Sequence, residues 1–365
     1  MQEKAGGMGG VKLATSIEPV YRYMMHSHEE EWGDHPWRDW AMNIHRWDWN
    51  PGVAILAAME YFKVTDRREV LNEIVCWVNQ NEPPFHGGSM VINSVAPFAV
   101  YPDLFRVTAD ESYKQTAMKI ADWLIERAPR TKESAFEHTV TESEAFREQV
   151  WADTVFMAVV FLARSARLFR DEHYAQEAAS QLLVHYRLLQ DVETNLFFHG
   201  YNCSLKSHMS AARWTRANAW MALGTPMIYR EIQGLCEVPQ EIGTRYREMM
   251  QAIRAVQRDD GLWPTVLDRP DYVPETSGSA GIACGIIHGI SQGLLDDSFR
   301  ECALNAAEGV SAQIGADGRV SGVSGGTPVL ASVDDYNRVP VFPTLYGQGL
   351  VLMLLTTLHD ERTRS

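Results

Sequence analysis

The stretch Leu162–Tyr186 reads LARSARLFRDEHYAQEAASQLLVHY: an apolar helical stretch, an acidic break at Asp171 and a second helical stretch. The same order recurs in three further segments, at Ala57–Val78, Tyr101–Ile125 and Ile287–Ile314. A Thr or Asp near each break suits the N-cap of the second helix, and apolar residues recur at helical spacing. The repeated pattern predicts helical hairpins, with Met227–Gln257 as a looser fifth unit.

A second series of motifs interleaves with these hairpins. Six short clusters rich in Trp, Pro, Gly or Asn each precede an apolar helix, and they are marked by Gly52, Pro97, Asp153, Asn218, Ser279 and Gly347. Six helix pairs of roughly 60 residues account for all 365 residues, and a ring of repeats that closes on itself hides its end faces. We therefore predict an all-α fold, a single (α/α)6 barrel over residues 16–365 behind a flexible leader at 1–15. An open helical solenoid or two helical domains are the alternatives, and short strand hairpins are expected only in loops, at 195–198, 261–266 and 319–324.

Composition and charge exclude several classes of protein. The chain is 45% hydrophobic and 22% charged, an ordinary globular mix, and it has no run of about 18 apolar residues that could span a membrane. Its net charge of −14 repels phosphate backbones, so no nucleic-acid partner is expected. The five cysteines form no C-x-x-C pair and no metal or cofactor motif is convincing, so neither a metal nor a cofactor is expected. The first residues lack the apolar region of a signal peptide, and we expect a cytoplasmic monomer or homodimer.

The helix starts concentrate aromatic side chains. If all six starts converge on one mouth of the barrel, that mouth gathers a set of tryptophans: Trp47, Trp49, Trp151, Trp214, Trp220 and Trp263. Flat aromatic faces with polar edges suit sugars, because the C–H face of a sugar packs on the ring while its hydroxyls need donors and acceptors. Any single Trp is better explained by core packing, but the set indicates a carbohydrate site.

Asp153 is the leading catalytic candidate. It follows Trp151 and precedes the apolar stretch 154–163. A carboxyl group beside indoles is partly desolvated, which raises its pKa and suits a general acid, although a helix N-terminus acts in the opposite direction. The alternative interpretation is a plain N-cap aspartate.

Two histidines and one arginine are further candidates. His199 follows an apolar run in a predicted turn, and His138 lies in a polar loop; each either binds a ligand or only stabilises the fold. Arg216 lies between two tryptophans at a helix start, where a stacked guanidinium could pair with a substrate carboxylate or with one of the protein's own acids.

Several motifs, in chain order, resemble glycoside hydrolase family 105, the unsaturated rhamnogalacturonyl hydrolases, which are related to the family 88 unsaturated glucuronyl hydrolases. Residues Val150–Met157 (VWADTVFM) resemble the family's W-x-D-x-x-[FY]-M helix start, and Leu196–Tyr201 (LFFHGY) resembles its G-L-F-x-H turn. Residues Trp214–Trp220 (WTRANAW) resemble W-G-R-G-N-G-W with the glycines changed. Gly261–Trp263 and Glu275–Ala280 resemble a later G-L-W … E-T-S-x-S-A stretch, so the resemblance covers nearly the whole chain.

The resemblance implies an (α/α)6 barrel and a substrate left behind by polysaccharide lyases. The non-reducing uronic acid of such a sugar carries a C4=C5 double bond. Hydration of this vinyl ether gives an unstable hemiketal, which opens and releases the neighbouring sugar. One carboxylic acid can protonate C4 and, as a carboxylate, take a proton from the water that attacks C5, so no metal is needed. The implied partner is a small unsaturated oligosaccharide, with unsaturated galacturonyl-rhamnose as the leading candidate.

The resemblance also implies roles for single residues. Asp153 corresponds to the proton donor. Substrate-binding roles are implied for Trp49, His138, Trp151, His199, Trp214, Arg216 and Trp220. Asn93 also lines the expected substrate site, at a position where relatives often carry an aspartate. An asparagine there can hold a water or a hydroxyl but cannot act as a base.

Three other functions are compatible with the same residues. An unsaturated glucuronyl hydrolase would share the barrel and the aspartate. A sugar epimerase of this fold would need paired histidines, and only His199 is well placed. A non-catalytic sugar-binding barrel would keep the tryptophans and would not need Asp153.

Overall fold

The computed structural model describes residues 8–83, 90–140 and 144–364. Twelve helices in these ranges build the fold: α1 Met8–His26; α2 Trp49–Thr65 and α3 Arg68–Asn81; α4 Tyr101–Thr108 and α5 Glu111–Glu126; α6 Val160–Phe169 and α7 Glu172–Leu189; α8 Thr215–Ile232 and α9 Gln240–Ala255; α10 Thr276–Ser291 and α11 Arg300–Ser311; and α12 Leu345–Arg364. Shorter helical turns lie at Glu29–Trp32, Arg38–Ala41, Ile92–Val100, Glu144–Phe146, Val155–Val159, Asp297–Phe299 and Val333–Tyr336.

The even-numbered helices form a closed inner ring. α12 packs against both α10 and α2, α10 packs against α8, and α8 packs against α6. The 3-10 segment Ile92–Val100, which leads into α4, packs between α2 and α6 and completes the ring. The odd-numbered helices pack outside, each against its inner neighbour, so the predicted (α/α)6 barrel is confirmed.

The sixth hairpin is assembled from the two ends of the chain. The last inner helix, α12, packs against α1 as its outer partner. α1 begins at Met8 and therefore takes in residues 8–15, which we expected to lie within the flexible leader; residues 1–7 lie outside the described residues. None of the helices in the described ranges combines the length and the apolar composition that a membrane span requires.

The acidic breaks mostly act as the sequence predicts. The carboxylates of Asp110 and Asp171 accept hydrogen bonds from the backbone N–H groups of Ser112 and Tyr174 at 2.9 and 3.0 Å, which caps α5 and α7. Asp66 is different, because it ends α2 in the left-handed conformation with φ of 50° and does not cap the next helix. The break aspartate therefore ends the first helix at Asp66, whereas at Asp110 and Asp171 it caps the start of the second helix.

Small residues let the inner helices approach closely. A Cβ atom at Gly285 of α10 would lie 2.4 Å from the carbonyl oxygen of Ala222 in α8. One at Gly349 of α12 would lie 3.2 Å from the backbone of Ala54 in α2. Since nearly every side chain of these helices is buried, backbone proximity sets the diameter of the ring.

The strands differ from the sequence prediction. β1 (Gln149–Trp151) pairs antiparallel with β2 (Gly200–Asn202), and Trp151 lies opposite Gly200. The three expected hairpins are only isolated bridges, Gln190 with Phe197, Trp214 with Val266 and Ile314 with Val320. The expectation of local hairpins was therefore wrong. The β1–β2 pair instead ties the segment before α6 to the segment before α8.

Candidate active site

A cavity of about 420 Å³ opens at the end of the barrel where the inner helices begin. Its lining residues are Trp37, Trp40, Arg46, Asp48, Trp49, Asn93, His138, Val140, Phe146, Trp151, Asp153, Met157, Trp214, Arg216, Gly326, Thr327 and Pro328. Seven of the nine predicted site residues are among them. The other two, His199 and Trp220, both contact Asp153 from behind.

Asp153 lies at the junction between β1 and the helix that leads into α6. The backbone N–H of Ala152 donates to the carbonyl of His199 at 3.1 Å, so the strand pair fixes the residue before Asp153. A π-helical turn, Val155–Val159, follows at once, and such wide turns are frequent at functional sites. The side chain is 13% exposed and faces the cavity.

The two carboxylate oxygens of Asp153 have different environments. Oδ1 accepts a hydrogen bond from the indole Nε1 of Trp220 at 3.1 Å. Oδ2 lies 3.3 Å from Nε2 of His199, but the alignment is not that of a hydrogen bond. Among the described residues neither Oδ2 nor this Nε2 has a hydrogen-bond partner, although both are buried. One oxygen is therefore anchored, and the other is open to a proton, a water or a ligand.

The sequence-based expectation for the pKa of Asp153 was wrong in direction. Burial does raise this pKa, but the contact with His199 and the nearby His138 and Arg216 lower it more, so the pKa lies below its usual value of 3.8. The sequence showed the indoles beside Asp153 and not the nitrogen bases that face it in the fold. At neutral pH the free site therefore contains a carboxylate.

Behind His199 lies a residue that sequence reasoning missed. Nδ1 of His199 is 2.8 Å from the hydroxyl of Tyr336, which accepts a hydrogen bond from the backbone N–H of Leu330 at 3.2 Å. Burial raises the pKa of Tyr336 to about 12, so its hydroxyl keeps its proton. With Leu330 already donating to the oxygen, this proton is available to His199 Nδ1. Tyr336 ends the short helical turn Val333–Tyr336, 137 residues further along the chain, and no local motif marks it.

His138 and Trp151 form one wall of the cavity. Their rings stack at 4.4 Å with an interplanar angle of 19°. Nδ1 of His138 lies 2.9 Å from Oγ1 of Thr154, beside the catalytic candidate. Burial lowers the pKa of His138 to about 4, so this imidazole is neutral at pH 7 and contributes shape and hydrogen bonding rather than charge.

Arg216 lines the cavity but is held on all sides by the protein. Its guanidinium lies 4.2 Å from the centroid of the Trp214 ring and 4.5 Å from that of Tyr346. Nη1 donates to the Ser324 hydroxyl at 2.8 Å and lies 3.4 Å from the buried Glu275, and Nη2 donates to the Gly325 carbonyl at 2.9 Å. Its donors thus hold the loop that roofs the cavity.

The aromatic residues divide between the cavity and the core. Trp49 lines the cavity and stacks on Tyr346, with ring centroids 5.1 Å apart. Trp37 also lines the cavity and is 46% exposed. Trp220 is fully buried and holds Asp153 rather than forming a wall. Two tryptophans expected at the mouth, Trp47 and Trp263, lie outside the lining, where they pack against other apolar residues.

Asn93 brings a neutral polar group into the cavity. Its backbone N–H donates to the Thr139 carbonyl at 3.0 Å, which fixes the segment. Its side-chain Oδ1 is buried and has no partner among the described residues, so it is a free acceptor. In the same ranges no three His, Cys, Asp or Glu side chains are grouped as a metal ion would require.

Comparison with known proteins places this chain in one family. Residues 16–361 match the family described as Glycosyl Hydrolase Family 88. The unsaturated rhamnogalacturonyl hydrolase YesR of Bacillus subtilis is 34% identical over 324 residues, which is 87% of this chain and 91% of that protein. A possible member of the GH105 family from Klebsiella pneumoniae superposes with a TM-score of 0.88 at 25% identity, over 99% of this chain and 96% of that one.

A more distant structure shares the fold. The unsaturated glucuronyl hydrolase of Bacillus sp. GL1 superposes with a TM-score of 0.74 at 17% identity, covering 95% of this chain and 96% of that one. The closed ring of helix pairs, the match over residues 16–361 and the 34% identical relative lead to one conclusion: the chain belongs to Glycosyl Hydrolase Family 88 and is a glycoside hydrolase.

Proposed function

We propose that this enzyme hydrates the C4=C5 double bond of an unsaturated galacturonyl residue in a lyase product, with rhamnose as the neighbouring sugar. The observation that carries the proposal is the open carboxylate oxygen Oδ2 of Asp153, which has no hydrogen-bond partner among the described residues and faces His199 in a cavity walled by tryptophans. The relative named as an unsaturated rhamnogalacturonyl hydrolase supports the choice of sugars.

The reaction needs a proton at C4 and a hydroxide equivalent at C5. Asp153 gives a proton to C4, the electrons of the C4=C5 double bond form the new C4–H bond, and C5 becomes an oxocarbenium centre that the ring oxygen stabilises. The resulting carboxylate takes a proton from the water that attacks C5. The product is a hemiketal, which opens to a ketone and releases the neighbouring sugar. The proton lost by the acid in the first step is regained in the second, so the enzyme returns to its starting state.

The substrate itself helps to protonate Asp153. In the free site the pKa of Asp153 is lowered, which favours the carboxylate. A uronate carboxylate bound nearby adds like charge and displaces water, and both effects raise the pKa of an acid. His199 Nε2, at 3.3 Å from Oδ2, is the adjacent group through which a proton can pass.

Of the cavity acids that the structure describes, only Asp153 keeps a carboxylate oxygen without a hydrogen-bond partner. Of the lining side chains in the described ranges, Asp48 and Asp153 are the two acids. The carboxylate of Asp48 accepts hydrogen bonds from Trp40 Nε1 at 2.8 Å and from the Trp49 backbone at 2.7 Å, where it caps α2. A glycosidase that acts at the anomeric carbon uses two carboxylates across the bond. Asn93, whose Oδ1 has no partner among the described residues, is neutral and cannot act as a second acid, so the site suits hydration by one acid.

The test is the ultraviolet absorbance of the C4=C5 chromophore. The purified protein is given a panel of lyase-generated disaccharides that includes unsaturated galacturonyl-rhamnose and unsaturated glucuronyl sugars. Loss of absorbance with the galacturonyl member is the expected result. Loss only with a glucuronyl member would correct the sugar, and no loss with any member would refute the proposal.

We further propose that the enzyme acts in the cytoplasm, as a monomer or homodimer, on imported disaccharides. All five cysteines are free thiols, three of them buried, which fits a reducing compartment. Fractionation of cells and sedimentation of the purified protein test the two statements separately.

A further inference from the structure

Two arginines line the active-site cavity, and their surroundings are opposite. The guanidinium of Arg216 is buried and donates to several acceptors in the loop above it. Arg46 is exposed, and among the described residues its side chain makes no hydrogen bond, ion pair or ring contact. The cavity therefore contains one arginine that is engaged by the protein and one that is free.

The nearest acid along the chain does not neutralise Arg46. Asp48 is two residues away, but its oxygens are taken up by the indole of Trp40 and the backbone of Trp49. The other lining acid, Asp153, is paired with Trp220 and lies beside His199. Arg46 thus presents five unoccupied N–H donors to whatever enters the cavity.

We propose that Arg46 is the anion-binding residue of this site and receives a carboxylate of the substrate. The inference rests on the proposed function, which requires an acidic sugar. A planar guanidinium binds a carboxylate through two parallel hydrogen bonds, and charge-assisted bonds of this kind are about twice as strong as neutral ones. Arg216 cannot do this without giving up its bonds to Ser324 and Gly325.

The aromatic surroundings indicate how the sugar would lie. Trp37 and Trp40 line the cavity on the same segment as Arg46, with their rings in edge contact at 6.2 Å. A sugar face packed on these indoles would leave a ring carboxylate at its edge, where Arg46 can reach it. The carboxylate belongs either to the unsaturated uronyl residue or to an acidic neighbouring sugar, since the cavity of about 420 Å³ holds both rings.

The experiment compares Arg46→Gln and Arg46→Lys with the wild type. Losing the guanidinium should raise KM about tenfold while kcat stays within about threefold, because the contact forms in the ground state as well as in the transition state. Lysine keeps the positive charge but cannot form two parallel hydrogen bonds to one carboxylate, so the KM of Arg46→Lys should lie between those of the wild type and Arg46→Gln. Arg68→Gln is the matched control, since Arg68 is exposed on an outer helix and its nearest acid is 4.0 Å away. This control should behave as the wild type.

Substrate variants identify the source of the carboxylate. If Arg46 binds the uronyl carboxylate, amidation of that group should abolish the KM difference between the wild type and Arg46→Gln. If it binds an acidic neighbour, the difference should appear only with a longer substrate that carries a second uronate. An unchanged KM with both substrates would overturn the inference.

A binding measurement separates this inference from the proposed reaction. If the wild type hydrates no member of the panel, the reaction is wrong, but calorimetric titration with galacturonate still tests Arg46. Galacturonate should then bind the wild type at least tenfold more tightly than it binds Arg46→Gln, and neutral galactose should not distinguish the two. Equal binding of galacturonate by both proteins would overturn the assignment of Arg46.

Discussion

Replacing Asp153 with asparagine should abolish most of the activity and leave the site intact. Asparagine has the same shape, and its carbonyl oxygen can still accept the hydrogen bond that Trp220 now gives to Oδ1 at 3.1 Å. The group that changes is the open one, because an amide nitrogen replaces the oxygen that faces His199. An amide can neither give a proton to C4 nor take one from water.

The size of the loss follows from the proton transfer. A positioned general acid–base group accelerates a reaction by about 10²–10⁴-fold, which corresponds to roughly 2.7–5.4 kcal/mol of transition-state free energy. The loss should appear in kcat, while KM stays near the wild-type value because the cavity walls are unchanged. Asp48→Asn is the comparison at the other described cavity acid: asparagine keeps an oxygen that accepts one of the two hydrogen bonds now given by Trp40 and Trp49, so the helix cap can remain and the variant should keep most of its turnover.

The assay is the decay of the C4=C5 absorbance, with thermal unfolding of each variant as a check of folding. A folded Asp153→Asn protein that turns over at more than about a tenth of the wild-type rate would refute the assignment of Asp153. Loss of turnover in Asp48→Asn, with Asp153→Asn active, would show that the other cavity acid carries the chemistry.

Three further predictions concern the groups around this acid. Burial lowers the pKa of His138 and of His185 to about 4 from 6.5, so the folded protein favours their neutral forms. The free energy of unfolding should therefore be highest above pH 6.5 and should fall as the pH drops from 6.5 toward 4. Urea unfolding at pH 7 and at pH 5 measures this loss. Arg216→Ala leaves a buried acid without its cation and should lower the free energy of unfolding by about 3–5 kcal/mol, with an unchanged unfolding midpoint as the contrary result. Tyr336→Phe removes the hydroxyl 2.8 Å from His199 and should lower kcat several-fold with a shifted pH profile and little change in KM; an identical pH profile would show that the hydroxyl only packs.

The ring of helix pairs was predictable because each pair repeats one physical pattern. An apolar stretch, a polar break and an amphipathic stretch predict a hairpin wherever they occur, and the spacing gives their number. The outer helix of the sixth pair escaped this reasoning, because α1 precedes its inner partner, α12, by nearly the whole length of the chain. Pro19 and two glycines in α1 also weaken its helical pattern.

The candidate site was predictable to the extent that it lies on helix starts. Trp49, Asp153 and Arg216 all occur in short motifs at such starts, and the fold brings them to one cavity. Tyr336 and Arg46 escaped notice because neither lies in a motif of this kind. Tyr336 is marked by its contact with His199, and Arg46 by the lack of a partner among the described residues. Both are properties of the tertiary structure and cannot be read from the sequence.

The unequal surroundings of the Asp153 oxygens explain how one carboxylate could serve both steps. Trp220 holds Oδ1 through a neutral indole, which cannot give up its proton, so the side chain is fixed without being neutralised. Oδ2 is left beside His199, where a proton can be present before C4 is attacked and absent when water must be activated. An acid at position 93 would compete for that proton, whereas the amide oxygen of Asn93 can hold the water without taking its proton. The asparagine at this position therefore suits the one-carboxylate reaction rather than weakening it.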